Sequence, residues 1–203
     1  MRLKGKTAIV TGASNGMGSS ESKLFASEGA NVVLADVDSE AGQQVVEEIS
    51  EGGGNAHFEI CDVSNEENWQ SMTSNVLAKY GSIDILVNNA GISSTSTSDL
   101  LSTDAWNNIM EVNSTGVFLG TKTAAEIMKS QGRGSIVNIS SIMGFVGGEY
   151  GHPAYHASKG SVRIFSKAMA VRYGPFGVRV NTVHPGFMPP MTSSDHEIAS
   201  KRD

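Results

Sequence analysis

The sequence predicts an α/β fold, a doubly wound parallel sheet of about six strands with helices on both faces, in one domain over residues 1–203. Three observations carry this. Short aliphatic or β-branched runs alternate with longer stretches of helical spacing from end to end. The strand-like runs are nearly continuous in apolar residues, as burial on both faces requires. The first run ends in a glycine-rich turn that opens straight into a helix.

Taken in order, strands are expected at residues 7–10, 31–35, 57–60, 83–87, 135–139 and 178–183. Helical spacing fills residues 18–28, 40–50, 66–79, 105–130 (read as two helices) and 154–173. A parallel crossover needs a covering element between successive strands, and these stretches supply it. Gly52-Gly53-Gly54 is a turn between a helix and a strand, not a domain boundary. Ligands of such sheets bind beyond the carboxyl ends of the strands, so the chemistry is expected in the loops that follow them.

Composition narrows the function classes. The formal charge is -6 and no stretch clusters Lys and Arg, so the footprint of a nucleic-acid binder is missing. Cys61 is the single cysteine, which rules out an intrachain disulfide and a cysteine-rich metal site and fits a reducing compartment. No run reaches the length of a membrane span and the N-terminus lacks a signal-peptide pattern, so a cytoplasmic protein with neither membrane nor nucleic-acid partner is expected. His152, His156 and His184 have no metal-ligand spacing and are read as structural; no metal site is expected.

After the first strand comes Thr11-Gly12-Ala13-Ser14-Asn15-Gly16-Met17-Gly18. Its glycines permit a sharp turn and a close backbone approach, leaving helix N-terminal N–H groups to face a pyrophosphate. Asp36, near the end of the second strand, stands where a carboxylate meets the adenosine ribose 2′-hydroxyl. Its charge would repel a 2′-phosphate, and position 15 offers Asn rather than a cation, so NAD is expected over NADP. Asp62, after the third strand, could accept from the adenine amine or cap the next turn; Gly91, in Asn88-Asn89-Ala90-Gly91, lets backbone pass close to the nucleotide, while Asn88 could simply tie strands together.

Tyr155 and Lys159 lie four residues apart on a predicted helix and so share a face. A tyrosine with an ordinary pKa of about 10 works as a base near neutrality only if its phenolate is stabilised, which a neighbouring ammonium does. Ser141, leaving the fifth strand, could hold a substrate oxygen against the phenol or cap its loop. Asn113 has poor helix propensity inside a helical stretch, so it sits at a distortion or points outward.

Together Thr11-Gly12-x-x-x-Gly16-x-Gly18, Asn88-Asn89-Ala90-Gly91, Asn113, Ser141, Tyr155-x-x-x-Lys159, Asn181 and Pro185-Gly186 resemble the short-chain dehydrogenase/reductase family, from about Lys4 to Gly186. The resemblance implies a Rossmann-type fold and an oxidoreductase moving hydride between NAD(H) and a secondary alcohol or ketone. It implies Tyr155 as general acid/base, Ser141 as holder of the substrate oxygen, Lys159 as ligand of the nicotinamide ribose and depressor of the tyrosine pKa, and Asn113 as holder of a relay water. It extends the cofactor-binding set to Gly12, Ser14, Asn15, Gly16, Met17, Gly18, Asp36, Asp62, Val63, Asn89, Ala90, Gly91, Tyr155, Lys159, Pro185, Gly186 and Met188. It further implies a homodimer or homotetramer formed through the helices at 105–130 and 154–173. Against the family pattern, Phe187-Met188-Pro189-Pro190-Met191 stands where a threonine is usual, and the chain reads as truncated before the family's last strand.

Residues 93–97, 143–150 and 187–191 are expected to line the substrate pocket; they include no Arg or Lys, which favours a neutral, cyclic or steroid-like substrate. Two alternatives are a ketoacyl-carrier-protein reductase and a non-catalytic nucleotide-binding regulator.

Overall fold

The computed structural model describes residues 1–93, 99–148 and 152–186. Strands β1 (Thr7–Thr11), β2 (Asn31–Asp36), β3 (Asn55–Ile60), β4 (Ile85–Asn88), β5 (Gly134–Ile139) and β6 (Val178–Val183) form one sheet in the order β3-β2-β1-β4-β5-β6. Every neighbouring pair is parallel. The helices are α1 (Gly16–Ser27), α2 (Ser39–Glu51), α3 (Glu66–Tyr80), α4 (Thr103–Met110), α5 (Gly116–Gln131) and α6 (Pro153–Tyr173).

Strand alternation sorts the apolar side chains into two cores. Ala8 and Val10 of β1 pack with Val32 and Leu34 of β2 against Ala26 of α1 and Val45 and Ile49 of α2. Ile9, one residue out of phase, faces the other core with Val33, Leu86, Trp69 and Met72 of α3, Met128 of α5 and Tyr173 of α6. Trp69 is fully buried, donates its indole N–H to the Val63 carbonyl at 2.9 Å, and fits only because Gly120 opposite has no side chain. All five residues of β1 are buried, which explains their continuous apolar run. Glu21 of α1 resists this sorting: it keeps Oε2 buried without a hydrogen-bond partner, and burial pushes its carboxyl up to about 7.

Side chains set the helix starts. Asp38 accepts from the Ala41 N–H, Asn65 from those of Glu67 and Asn68, and Ser102 from that of Ala105. The element order matches the sequence reading, with ends displaced by a residue or two. The stretch expected to be two helices holds α4 and α5, joined without a break through a π turn at Glu111–Thr115 in which the Gly116 N–H reaches back to the Glu111 carbonyl. Strand order reverses between β1 and β4, so the carboxyl ends of β1, β2, β4 and β5 surround one crevice. Among the described residues no helix is long and apolar enough to cross a membrane.

Candidate active site

The turn after β1 is shaped by its glycines. Gly12 and Gly16 have φ of 63° and 53°, a left-handed backbone that side-chain-bearing residues avoid. A Cβ on Gly12 would stand 2.8 Å from the Ala90 Cα, and one on Gly18 would overlap the Gly12 carbonyl oxygen, so α1 starts directly against the turn. Asn15, the residue before α1, is exposed and makes no side-chain cap. The starts of α2, α3, α4 and α6 are each capped by a side chain, whereas α1 turns its first N–H groups to the crevice without one. Uncapped N–H groups at a helix start can hold an anion such as a pyrophosphate.

Asp36 closes the glycine turn from β2. Its Oδ2 accepts from the Ser14 N–H at 2.9 Å, and its Oδ1 from those of Val37 at 2.8 Å and Asp38 at 3.2 Å. The carboxylate is thus fixed beside the turn, still half-exposed. Ser14 and Met17 are part of the turn's packing: the Ser14 hydroxyl donates to the Asp38 carbonyl, and Met17 lies against the α1/α2 core. Asp62 does cap the following turn, its Oδ1 accepting from the Ser64 N–H and hydroxyl; it sits beside Val63 at the same edge of the sheet. Asn88 ties strands, donating to Asn138 at 2.8 Å and Thr121 at 3.1 Å. Asn89 ties the end of β4 to the glycine turn, donating to the carbonyls of Thr11 and Gly12. The hub there is Thr11, whose hydroxyl accepts from the N–H groups of Asn89 and Ala90. The sequence reading gave Thr11 no such role; a hydroxyl closing a buried strand was the available signal.

The chemical end is assembled from four elements. Asn113 lies in the π turn and is fully buried, so of the two readings its residue type allowed, the distortion is the one observed. Its Oδ1 accepts from the Ile92 N–H at 2.8 Å, while its Nδ2 donates to the Ile92 carbonyl at 3.0 Å and the Ser158 hydroxyl at 3.2 Å. A Cβ on Gly91 would come within 3.2 Å of the Asn113 Oδ1 and 3.3 Å of the Lys159 Nζ, so the bare backbone of Gly91 leaves both groups room. Lys159 is buried, donates to the Ile139 carbonyl at 2.9 Å, and carries its ammonium 5.7 Å from the centre of the Tyr155 ring. Burial lowers its pKa to about 8. Burial raises the Tyr155 phenol above its ordinary value, and the Ser141 hydroxyl partly reverses this by favouring the phenolate. The Ser141 oxygen also accepts from the Met143 N–H at 3.1 Å, which leaves its own hydrogen to be donated.

Between the segment before α4 and the turn after β5 opens a cavity of about 640 Å³, walled mainly by Leu100, Leu101, Met143, Phe145, Val146 and Pro153. Ser141 and Tyr155 are not in its wall, although Met143 and His156, close to them in the chain, are. Pro185 follows β6 and accepts from the Ile142 N–H, and Gly186 is exposed beside it. Met188, and the expected pocket residues at 94–97, 149–150 and 187–191, lie outside the described residues.

Comparison with known proteins gives the family. Residues 6–203 match the short chain dehydrogenase family. Cyclopentanol dehydrogenase of Comamonas sp. (strain NCIMB 9872) is 47% identical over 192 residues, 94% of this chain and 76% of that protein. The 3-alpha-(or 20-beta)-hydroxysteroid dehydrogenase of Mycobacterium tuberculosis (strain ATCC 25618 / H37Rv) is 41% identical over 192 residues, 94% of this chain and 72% of its own. The crystal structure of a short-chain type dehydrogenase/reductase from Mycobacterium marinum superposes with a TM-score of 0.87 at 37% identity, covering 91% of this chain and 74% of that one. The chain belongs to the short-chain dehydrogenase family. It is an oxidoreductase that exchanges hydride between a nicotinamide cofactor and a secondary alcohol or ketone.

Proposed function

We propose that the chain oxidises neutral, alicyclic secondary alcohols with NAD in preference to NADP, and reduces the matching ketones. The observation that carries this reading is the convergence of Tyr155, Lys159 and Ser141 at the carboxyl end of the sheet, at the same edge as a glycine turn closed by Asp36. The cyclopentanol and hydroxysteroid dehydrogenases among its relatives favour the same substrate class.

The uncapped start of α1 at Gly12, Ser14, Asn15, Gly16, Met17 and Gly18 fits a pyrophosphate, and the Asp36 carboxylate fits a ribose diol better than a second phosphate. Asp62 and Val63 border the adenine end; Asn89, Ala90, Gly91, Pro185 and Gly186 border the nicotinamide half. The nicotinamide, when bound, takes or returns the hydride. In the oxidative direction Ser141 donates to the substrate oxygen and holds it against Tyr155, which accepts the hydroxyl proton as the carbon loses hydride. Lys159 stabilises the phenolate and holds the nicotinamide ribose. The Asn113 side chain is committed to Ile92 and Ser158, so its contribution to a proton relay falls to its backbone carbonyl at the π turn.

The half-exposed ring of Phe118 on α5 and the exposed Ile164 and Val171 on α6 support pairing of these helices with those of a second copy. The deciding experiment is the ratio of kcat/KM for NAD and NADP with cyclopentanol as substrate. A ratio of at least tenfold in favour of NAD is expected, and a clear NADP preference would defeat the cofactor assignment.

A further inference from the structure

We infer that His184 is a positioning residue for Ser141: through its Nδ1 it fixes the backbone turn that aims the serine hydroxyl, and so it governs the rate of the chemical step. The inference rests on the proposed role of Ser141.

β5 and β6 stay paired beyond their last strand residues. Ser140 donates to the Val183 carbonyl at 2.8 Å, and Ile142 to the Pro185 carbonyl at 3.1 Å. Between these two bonds the Ser141 carbonyl lies 3.2 Å from the His184 Nδ1. A carbonyl oxygen can only accept, so Nδ1 carries the ring hydrogen. The other nitrogen, Nε2, stands 2.9 Å from the Thr182 hydroxyl, which donates to it in the neutral ring. The imidazole also rests against Phe145, ring centres 4.4 Å apart, and the Phe145 ring is covered by the Arg163 guanidinium at 4.0 Å. The ring is therefore restrained through both nitrogens and by its packing on Phe145.

The consequence falls on Ser141. Its hydroxyl oxygen is held by the Met143 N–H and its carbonyl by both the Gly144 N–H and His184, so the hydroxyl's aim is set by the conformation of residues 141–144. Of these restraints only His184 anchors the turn to β6 by a side chain. Without it the turn keeps its internal bonds and its backbone bonds to Val183 and Pro185, but the Ser141 carbonyl between them loses its side-chain restraint and the peptide can tilt, and a small displacement at a reacting group is costly.

The test compares wild type, His184→Ala, His184→Asn, Ser141→Ala and the double variant Ser141→Ala/His184→Ala in single turnovers with enzyme in excess, using cyclopentanol and NAD. NADH binding by fluorescence and urea midpoints are measured beside them. His184→Ala is expected to lower the rate by roughly tenfold, with NADH affinity within about twofold of wild type. His184→Asn, whose amide N–H can stand in for Nδ1, restores most of the rate. In the Ser141→Ala background the His184 substitution costs nothing further, because the group it positions is gone. The same tenfold loss in both backgrounds, or no loss in His184→Ala, would overturn the inference while leaving the Ser141 role intact. Full turnover by Ser141→Ala would overturn the Ser141 role itself, and this inference with it.

Discussion

The ammonium of Lys159 on α6 lies 2.9 Å from the carbonyl oxygen of Ile139, the last residue of β5, inside a site where the lysine is almost wholly buried. Burial is the cause of its lowered pKa, about 8 against 10.5, and that difference corresponds to about 3 kcal/mol. The sign follows from the proton count. Between pH 8 and 10.5 the unfolded chain holds a proton that the folded chain has released, so folding becomes more favourable as pH rises through that window. Lys159→Met removes the buried charge and the bond to Ile139, the latter worth about 1 kcal/mol. It should therefore be about 2 kcal/mol more stable than wild type at pH 7 by urea denaturation, with the advantage gone by pH 10.5, and catalytically dead. Equal midpoints at pH 7 would show that the lysine is not strained by burial.

Glu21 titrates in the opposite sense. Its folded carboxyl, raised to about 7, keeps a proton that the unfolded chain loses above 4.5, so stability falls as pH climbs between those values. Glu21→Gln should unfold at higher urea than wild type at pH 8, by about 1–2 kcal/mol after allowance for solvent screening, and show no gain at pH 4. A constant difference at both pH values would refute the assignment of the cost to this carboxyl.

Gly18→Ala places a methyl on the Gly12 carbonyl and 2.7 Å from the Asn89 Nδ2. Both neighbours are held by the turn itself, so α1 has to move. The expected loss is about 1–3 kcal/mol of stability, together with a several-fold rise in the dissociation constant for NADH by fluorescence titration. An unchanged affinity in a folded variant would mean that the turn does not seat the cofactor.

Asp36 serves the fold and the proposed cofactor preference at once. Asp36→Ala strands the N–H groups of Ser14, Val37 and Asp38, so its unfolding midpoint should fall. The NAD/NADP ratio of kcat/KM should drop by about tenfold, since the charge that repels a 2′-phosphate is gone. A folded variant with an unaltered ratio would move the source of selectivity elsewhere.

Most of the sheet could be read from the chain because strands buried on both faces leave an unbroken apolar run, as β1 does. The expected start of β3 was two residues late and that of β4 two residues early: β3 begins at Asn55, whose side chain bonds across to Asn31, and a polar edge residue gives no hydrophobic signal, whereas the apolar Ile83 precedes the paired part of β4. The glycine turn, Tyr155 and Lys159 were legible because their chemistry depends on spacing within one local element. Thr11 and the fastening role of Asn89 were not, since they arise from contacts 78 residues apart in sequence. Asn113 was visible only as a poor helix former; its bonds to Ile92 and Ser158 exist because the π turn swings it inward.

That π turn has a further consequence for how the region tolerates change. A segment closed from Glu111 to Gly116 accommodates one residue more than an α-helix would, which rotates α5 relative to α4 by roughly a quarter of a turn. Shortening the chain by one residue within 111–115 would let regular coiling resume with Trp106 and Ile109 still in phase with Leu119 and Ala124, but it would remove the bulge that carries Asn113 to Ile92 and Ser158. A single deletion here should therefore leave the packing of α4 and α5 largely intact while it dismantles the Asn113 contacts, so folding survives where the site does not.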